Sequence, residues 1–244
     1  MKLLVLMGGK RVSDSENKYP LYLYEVGCKL IIEIILDIYN QIDFSDRIFC
    51  VKSVDIASVN ADDVLKNKDA NSIIVNMPGD TAGAICSALL ASEYIDNSEE
   101  LLIVSVDDYI DVDVNGIITE FRNNNADVGV VSFTSIHPRY SFVRKDLDNN
   151  ICEITEKKPI SKDALASFYY FKRGEEFVEC AKNVIRKNNR VNDSFYVSQA
   201  LNEMILLQKK ITVIKITNDK FHSFKNEIQL ANYINSINNE KESV

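Results

Sequence analysis

The chain has 244 residues, a formal net charge of −8, and 46% hydrophobic and 26% charged side chains, ordinary usage for a folded domain with little room for extended disorder. That acidity argues against a protein whose work is to neutralise nucleic-acid phosphates or an anionic membrane, because both need clustered excess Lys and Arg. Five scattered cysteines (Cys28, Cys50, Cys86, Cys152, Cys180) and two histidines (His137, His222) form neither a disulfide framework nor a spaced set of metal ligands.

Residues 2–7 are an apolar run ending in Gly8-Gly9 and followed by the polar stretch 10–18, which predicts a buried strand running into a loop. Apolar residues recur at helical spacing over 30–42, completing a first strand–helix unit. Further units come after it: a strand at 47–51, a helix at 61–67, a strand at 72–75 and a helix at 83–94. The uninterrupted apolar run 101–106 predicts a parallel strand covered on both faces, and it ends at Asp107-Asp108. Strands are expected at 126–133, 140–144, 151–155 and 166–171, the last two flanking the loop 156–162. Helices are expected at 175–187 and 194–207, a strand at 211–216 and a closing helix at 227–237.

No apolar run reaches the roughly 18–20 residues of a membrane helix, and the apolar start is too short for the core of a signal peptide, so a cytoplasmic location is expected. The alternation predicts a single α/β domain over 1–244: a mostly parallel mixed sheet, helices on both faces, and a ligand crevice beyond the strands' carboxyl ends. Gly8-Gly9 and Asp107-Asp108 both fall at such ends.

Each constellation has two readings. Gly8-Gly9 lets the backbone approach a phosphate or a nucleobase, or is simply a tight turn. Asp107-Asp108 is placed to hold a hard cation bridged to phosphates, or is a solvated acidic pair. Glu156-Lys157-Lys158-Pro159 suits a sugar hydroxyl and a phosphate, or is a charged surface turn. His137-Pro138-Arg139-Tyr140 is a ligand loop or an exposed turn.

In order and spacing these pieces resemble the sugar-phosphate nucleotidyltransferases, in the bacterial branch found with capsule and surface-sugar genes. The resemblance rests on Met7-Gly8-Gly9, Tyr19-Pro20 with Gly27 and Lys29, Thr81-Ala82-Gly83-Ala84 and Val106-Asp107-Asp108-Tyr109. It continues through His137-Pro138-Arg139-Tyr140-Ser141, Glu156-Lys157-Lys158-Pro159-Ile160-Ser161, Phe168-Tyr169-Tyr170-Phe171, Phe195-Tyr196-Val197 and Asn202-Glu203. It implies the nucleotide-diphospho-sugar transferase fold and a reaction in which a phosphorylated acceptor attacks the α-phosphorus of a nucleoside triphosphate and releases pyrophosphate. By position it implies nucleotide contacts from Gly8, Gly9, Lys10, Thr81 and Gly83, and Mg2+ on Asp107. Acceptor contacts fall to Glu156, Lys157 and Asn202, with Lys157 on the acceptor phosphate. Its partners are then a triphosphate and a phosphorylated small molecule, without nucleic acid or membrane and with homo-oligomerisation left open.

The departures from the family lie around the phosphates. The glycine loop is about two residues short, so Arg11 or Lys10 must replace the usual arginine, with Arg11 expected first because its guanidinium forks onto phosphate. The family's proline-lysine pair reads Pro20-Leu21, leaving Lys18 as the nearest cation. Near the end, Ser223-Phe224-Lys225-Asn226-Glu227 stands where relatives carry a glycine-threonine-proline turn, often with an aspartate ahead that supplies a second metal ligand. These changes keep two alternatives in view: a non-catalytic homologue that binds nucleotide or a partner enzyme, and a glycosyltransferase on the same fold, which would not account for Glu156-Lys157.

Overall fold

Leu3 to Leu6 send apolar side chains to both sides of one strand, and only a central strand covered on both faces buries them all. In the computed structural model, which describes residues 1–9, 19–148 and 150–242 without the side chains of 227 and 236–242, strand β1 (Lys2–Leu6) holds that position. A short ribbon, β2 (Glu25–Val26) and β3 (Lys29–Leu30), leads into α1 (Ile31–Asp37) and β4 (Asp46–Lys52). Then come α2 (Ser53–Val59), α3 (Ala61–Lys68), β5 (Ile73–Met77), α4 (Ala84–Leu89), α5 (Ser92–Ile95) and β6 (Leu101–Ser105). The second half runs β7 (Asp108–Ile110), α6 (Val114–Asn123), β8 (Val128–Thr134), β9 (Ser141–Lys145), β10 (Ile151–Glu156) and β11 (Asp163–Phe171). It closes with α7 (Gly174–Arg186), α8 (Val197–Leu206), β12 (Ile211–Lys215), β13 (Phe221–Ser223) and α9 (Glu227–Glu242).

Among the described residues the main sheet has the order β10-β9-β11-β6-β1-β4-β5, with β8 beside β11 and β12 beside β8. Strands β6, β1, β4 and β5 are parallel, as are β8 and β12, whereas β11 runs antiparallel to β6, β8 and β9. The result is the expected α/β fold, a mixed sheet with helices on both faces. Leu3 and Val5 of β1, with Leu102 and Val104 of β6, join an apolar cluster closed by α1, α3, α6 and α9. Leu4 and Leu6, with Leu101 and Ile103, join a second cluster under α4, α7 and α8.

Several elements differ from expectation. The helix expected over 83–94 is two pieces, α4 and α5, interrupted at Leu90 and Ala91, where Ala91 takes φ −92° and ψ 12°. Helix α1 ends at Asp37, five residues before the expected limit, and 38–42 form turns. Elements β2, β3, α2, α6, β7 and β13 lie outside the expected set. Helix α6 is nevertheless well specified: Val114, Ile117, Ile118 and Phe121 bury one face, and the Asp113 side chain caps it by accepting from the Gly116 N–H at 3.1 Å. Strand β11 carries a bulge between Leu165 and Tyr169, with Ser167 at φ +48°, which turns the strand from β6 toward β9.

Candidate functional site

A cavity of about 590 Å3 opens at the carboxyl ends of β1, β5 and β6, with its far wall made by β9–β11 and the start of α8. It is lined by Gly8, Gly9, Thr81, Gly83, Asp107, Glu156 and Lys157, all expected from the sequence, together with Lys52, Asp80, Arg139 and Lys225. The expected cations Lys10, Arg11 and Lys18 lie outside the described residues. Leu21 is buried in the first apolar cluster, so position 21 offers no charge to the site.

The nucleotide side is built from strand ends. A Cβ at Gly9 would stand 2.7 Å from Asp107 Oδ2 and 2.8 Å from Oδ1, so a side chain there would push the carboxylate from its place; at Gly8 the nearest atom would be 3.4 Å away. Gly83 has φ +118°, and a Cβ there would meet the Phe195 carbonyl oxygen at 2.4 Å. Its glycine is therefore demanded by the seating of α4 against 195, where Phe195 N–H donates to Ala82 O at 2.8 Å and Ile85 N–H to Phe195 O at 3.1 Å. Thr81 Oγ1 donates to Gly83 O at 3.1 Å and pairs with Ser87 Oγ at 2.7 Å, so this strand end is braced internally.

The two aspartates part at the turn 106–107 between β6 and β7, Asp107 lying in the turn and Asp108 opening β7. Asp107 faces the cavity, where burial pushes its carboxyl up to about 6, against the pull of Lys225 and Lys52 and with a further push from Asp108. Asp108 turns inward at 7% exposure; its Oδ2 lies 3.2 Å from Lys225 Nζ, and its Oδ1 is buried without a hydrogen-bond partner. Lys225 is brought there by the β7–β13 ribbon, which pairs Ser223 with Asp108 and lets Phe224 N–H donate to Asp107 O at 2.7 Å. The segment 223–227 thus reaches Asp107 as the resemblance implied, but it presents an ammonium where a second carboxylate was in question. Breaking a fully buried ion pair costs about 3–5 kcal/mol, and this one is worth less because the Lys225 side chain is 37% exposed.

On the far wall, Glu156 Oε2 accepts from Ser198 Oγ at 2.7 Å and from Ser141 Oγ, while no described residue bonds Oε1. Burial raises the Glu156 pKa; the two hydroxyls, Lys157 and Lys225 pull it back. Lys157 takes φ +57°, its Nζ lies 2.5 Å from Tyr196 Oη and 4.6 Å from that ring's centroid, and its N–H donates to Tyr140 O at 2.9 Å. Arg139 is held by His137, whose Nδ1 accepts from Arg139 N at 3.2 Å and from its Nε at 3.3 Å. Asn202 does not line the cavity: its amide clamps α8 to β10, accepting from Ile154 N–H at 3.0 Å and donating to Ile154 O at 2.7 Å.

Lys52, Arg139, Lys157 and Lys225 face Asp80, Asp107 and Glu156 among the described lining residues, with Asp108 directly behind Lys225 and Asp80 2.9 Å from Lys52, so four cations gather in a near-balanced cavity of a chain whose net charge is −8. Four cations gathered at one crevice of an acidic chain suit an anionic ligand. Lys52 and Lys225 are absent from the residues expected on sequence grounds; a parallel strand's last residue carries a weak signal for the first, and nothing local ties the second to a carboxylate 117 positions away. Among the described residues no three His, Cys, Asp or Glu side chains gather as a metal cage. The donor set is instead one cavity-facing carboxylate, Asp107, beside the gap that Gly9 keeps clear. That fits Mg2+ completing its shell with ligand phosphates and water.

No protein-family model and no curated protein matches the chain. Solved structures do. A nucleoside-diphosphate-sugar pyrophosphorylase from Vibrio cholerae RC9 is 16% identical, covers 96% of this chain over 100% of its own, and superposes with a TM-score of 0.79. A putative glucose-1-phosphate thymidylyltransferase from Bacillus anthracis, in complex with sucrose, is 17% identical over 97% of this chain and 95% of its own, with a TM-score of 0.72. HddC from Yersinia pseudotuberculosis, complexed with GMP-PN, is 15% identical over 97% of this chain and 99% of its own, at 0.65. These likenesses establish a shared fold along nearly the whole chain.

Proposed function

We propose that the chain is a nucleotidyltransferase that joins a nucleoside monophosphate from a triphosphate to a sugar phosphate, releasing pyrophosphate, and that it serves capsule or surface-polysaccharide synthesis. The observation that carries this reading is a single cavity with Gly9 and Asp107 on one wall, Glu156 and Lys157 on the other, and four cations around it. The folds it resembles include proteins described as a nucleotide-sugar pyrophosphorylase and a thymidylyltransferase.

In this reading the triphosphate lies along Gly8-Gly9, with its base toward Thr81 and Gly83. The acceptor sits against the far wall: Lys157, steadied by Tyr196, meets its phosphate, and Glu156 Oε1 accepts from a sugar hydroxyl while Ser141 and Ser198 hold the carboxylate in place. A phosphate oxygen of the acceptor attacks the α-phosphorus, and the bond from that phosphorus to the bridging oxygen of pyrophosphate breaks. Such chemistry is chiefly positioning and charge neutralisation. Mg2+ held by Asp107 would supply neutralisation of the phosphate oxygens. No described helix is long and apolar enough to cross a membrane, and the reading takes the chain as one cytoplasmic domain.

Pyrophosphate release, assayed with a panel of nucleoside triphosphates and sugar 1-phosphates in Mg2+, tests the proposal. Release that depends on both substrates is expected. Binding of a triphosphate with no turnover for any pair would replace this reading with the non-catalytic one, and turnover of a nucleotide-sugar without pyrophosphate chemistry would favour a glycosyltransferase.

A further inference from the structure

Lys225 enters the site from a segment 117 positions downstream of Asp108, and three observations define its place. Its Nζ is 3.2 Å from Asp108 Oδ2 and 5.8 Å from the Tyr140 ring centroid. Its side chain lines both the main cavity and a smaller one of about 280 Å3 that also touches Gly9 and Asp107. Its backbone is fixed by the β7–β13 ribbon and by Phe224 N–H on Asp107 O, so the ammonium is carried on a rigid support rather than on a loose tail.

An ammonium has three N–H donors, and among the described residues a single carboxylate, that of Asp108, hydrogen-bonds it. Asp108 in turn uses Lys225 for one oxygen and leaves the other buried and unpartnered, so the lysine is its neutralising charge. Elementary electrostatics then gives two consequences. A divalent metal approaching Asp107 meets a like charge already resident in the same cavity, which weakens its hold before any ligand arrives. An anion approaching the same place meets a fixed cation that needs no metal.

We propose that Lys225 is a resident cation of the Asp107 site: it binds the phosphates of the nucleotide directly and lowers the site's affinity for a free divalent metal. The proposal rests on the reading that a nucleotide occupies this cavity.

The test uses titration calorimetry of ATP, CTP, GTP, UTP and dTTP in Mg2+ or in EDTA, and Mn2+ titration by electron paramagnetic resonance without nucleotide. The proteins are the full chain, K225M, K225R and the double variant D108N/K225M, which removes the buried carboxylate together with its partner and so guards against a folding defect. The unmodified protein is expected to bind at least one triphosphate in EDTA, and K225M and D108N/K225M to lose about tenfold or more of that affinity, the worth of a charge-assisted hydrogen bond. The loss should be smaller in Mg2+, and K225R should restore most of it. Mn2+ alone should bind K225M about fivefold or more tightly than the unmodified protein. Equal EDTA affinities for the unmodified protein and D108N/K225M, or unchanged Mn2+ affinity in a folded K225M, would overturn the proposal and leave the nucleotide site standing. If the unmodified protein binds no triphosphate in either condition, the functional reading falls and the proposal falls with it.

Discussion

The two walls of the cavity are assembled differently. The wall at β1 and β6 is made by the residues immediately after each parallel strand, so Gly9 and Asp107 meet because neighbouring strands end side by side. The wall at β9–β11 is made by side chains converging from distant segments: Ser141 and Glu156 come from two strands, Lys157 from the loop after β10, and Tyr196 and Ser198 from the N-cap and first turn of α8. A strand-end site is specified by the strand pattern, whereas a converged site depends on how the antiparallel half and α8 pack. The first should fail through its charge, and the second through its supports.

The largest effect is expected at the strand-end wall. Asp107→Asn keeps the size and discards the charge, so Mg2+-dependent triphosphate binding should be lost and kcat/KM should fall by about 10³ or more. Circular dichroism should show the fold unchanged; Mg2+-dependent affinity equal to that of the parent would remove Asp107 from the metal site.

Next comes the phosphate cation of the 10–18 stretch, which lies outside the described residues. With Leu21 buried, one of Lys10, Arg11 and Lys18 should be indispensable, and Arg11→Ala should lower kcat by about 10²–10³, as loss of a transition-state donor does elsewhere. If alanine at each of the three leaves pyrophosphate release intact, that loop supplies no essential charge, and Lys225 with Lys52 must carry it.

The converged wall should respond more selectively. Lys157→Ala is expected to raise the KM for the sugar phosphate about 10- to 100-fold, the range of a lost charge-assisted phosphate contact, and to change triphosphate affinity little. Equal losses for both ligands would place Lys157 between the substrates rather than on the acceptor side.

Legibility in the sequence divides along the same line. The strands that bury both faces, β1, β4 and β6, announce themselves as apolar runs, and Gly8-Gly9 and Asp107 inherit their places from β1 and β6. The break between α4 and α5 is not legible because Leu89, Leu90 and Ala91 continue the apolar pattern through it, with no Gly or Pro to mark the stop. Strand β7, three residues long, is too short to show a period. The resemblance brings the segment 223–227 to the site, but the part Lys225 plays there is not legible: it lies in a contact made by the β7–β13 ribbon, and no spacing rule spans that distance.

Asn202 puts the contrast between the walls under the most strain, because the resemblance assigns it to the acceptor while the geometry gives both ends of its amide to Ile154. An asparagine that bonds a backbone and one that bonds a ligand look alike in a sequence. Here the double contact ties α8, which carries Ser198, to β10, which ends in Glu156. Asn202→Ala removes two hydrogen bonds and strands backbone groups between those elements, so a loss of about 1–3 kcal/mol is expected, each kcal/mol lowering Tm by about 2–4 °C at this chain length. Because the Glu156 carboxylate keeps its own serine donors, the KM for the acceptor should change by less than about threefold, a difference under 1 kcal/mol. A lowered Tm with a nearly unchanged KM would identify Asn202 as scaffold; an unchanged Tm with a KM raised tenfold would return it to the acceptor and show that the far wall extends along α8.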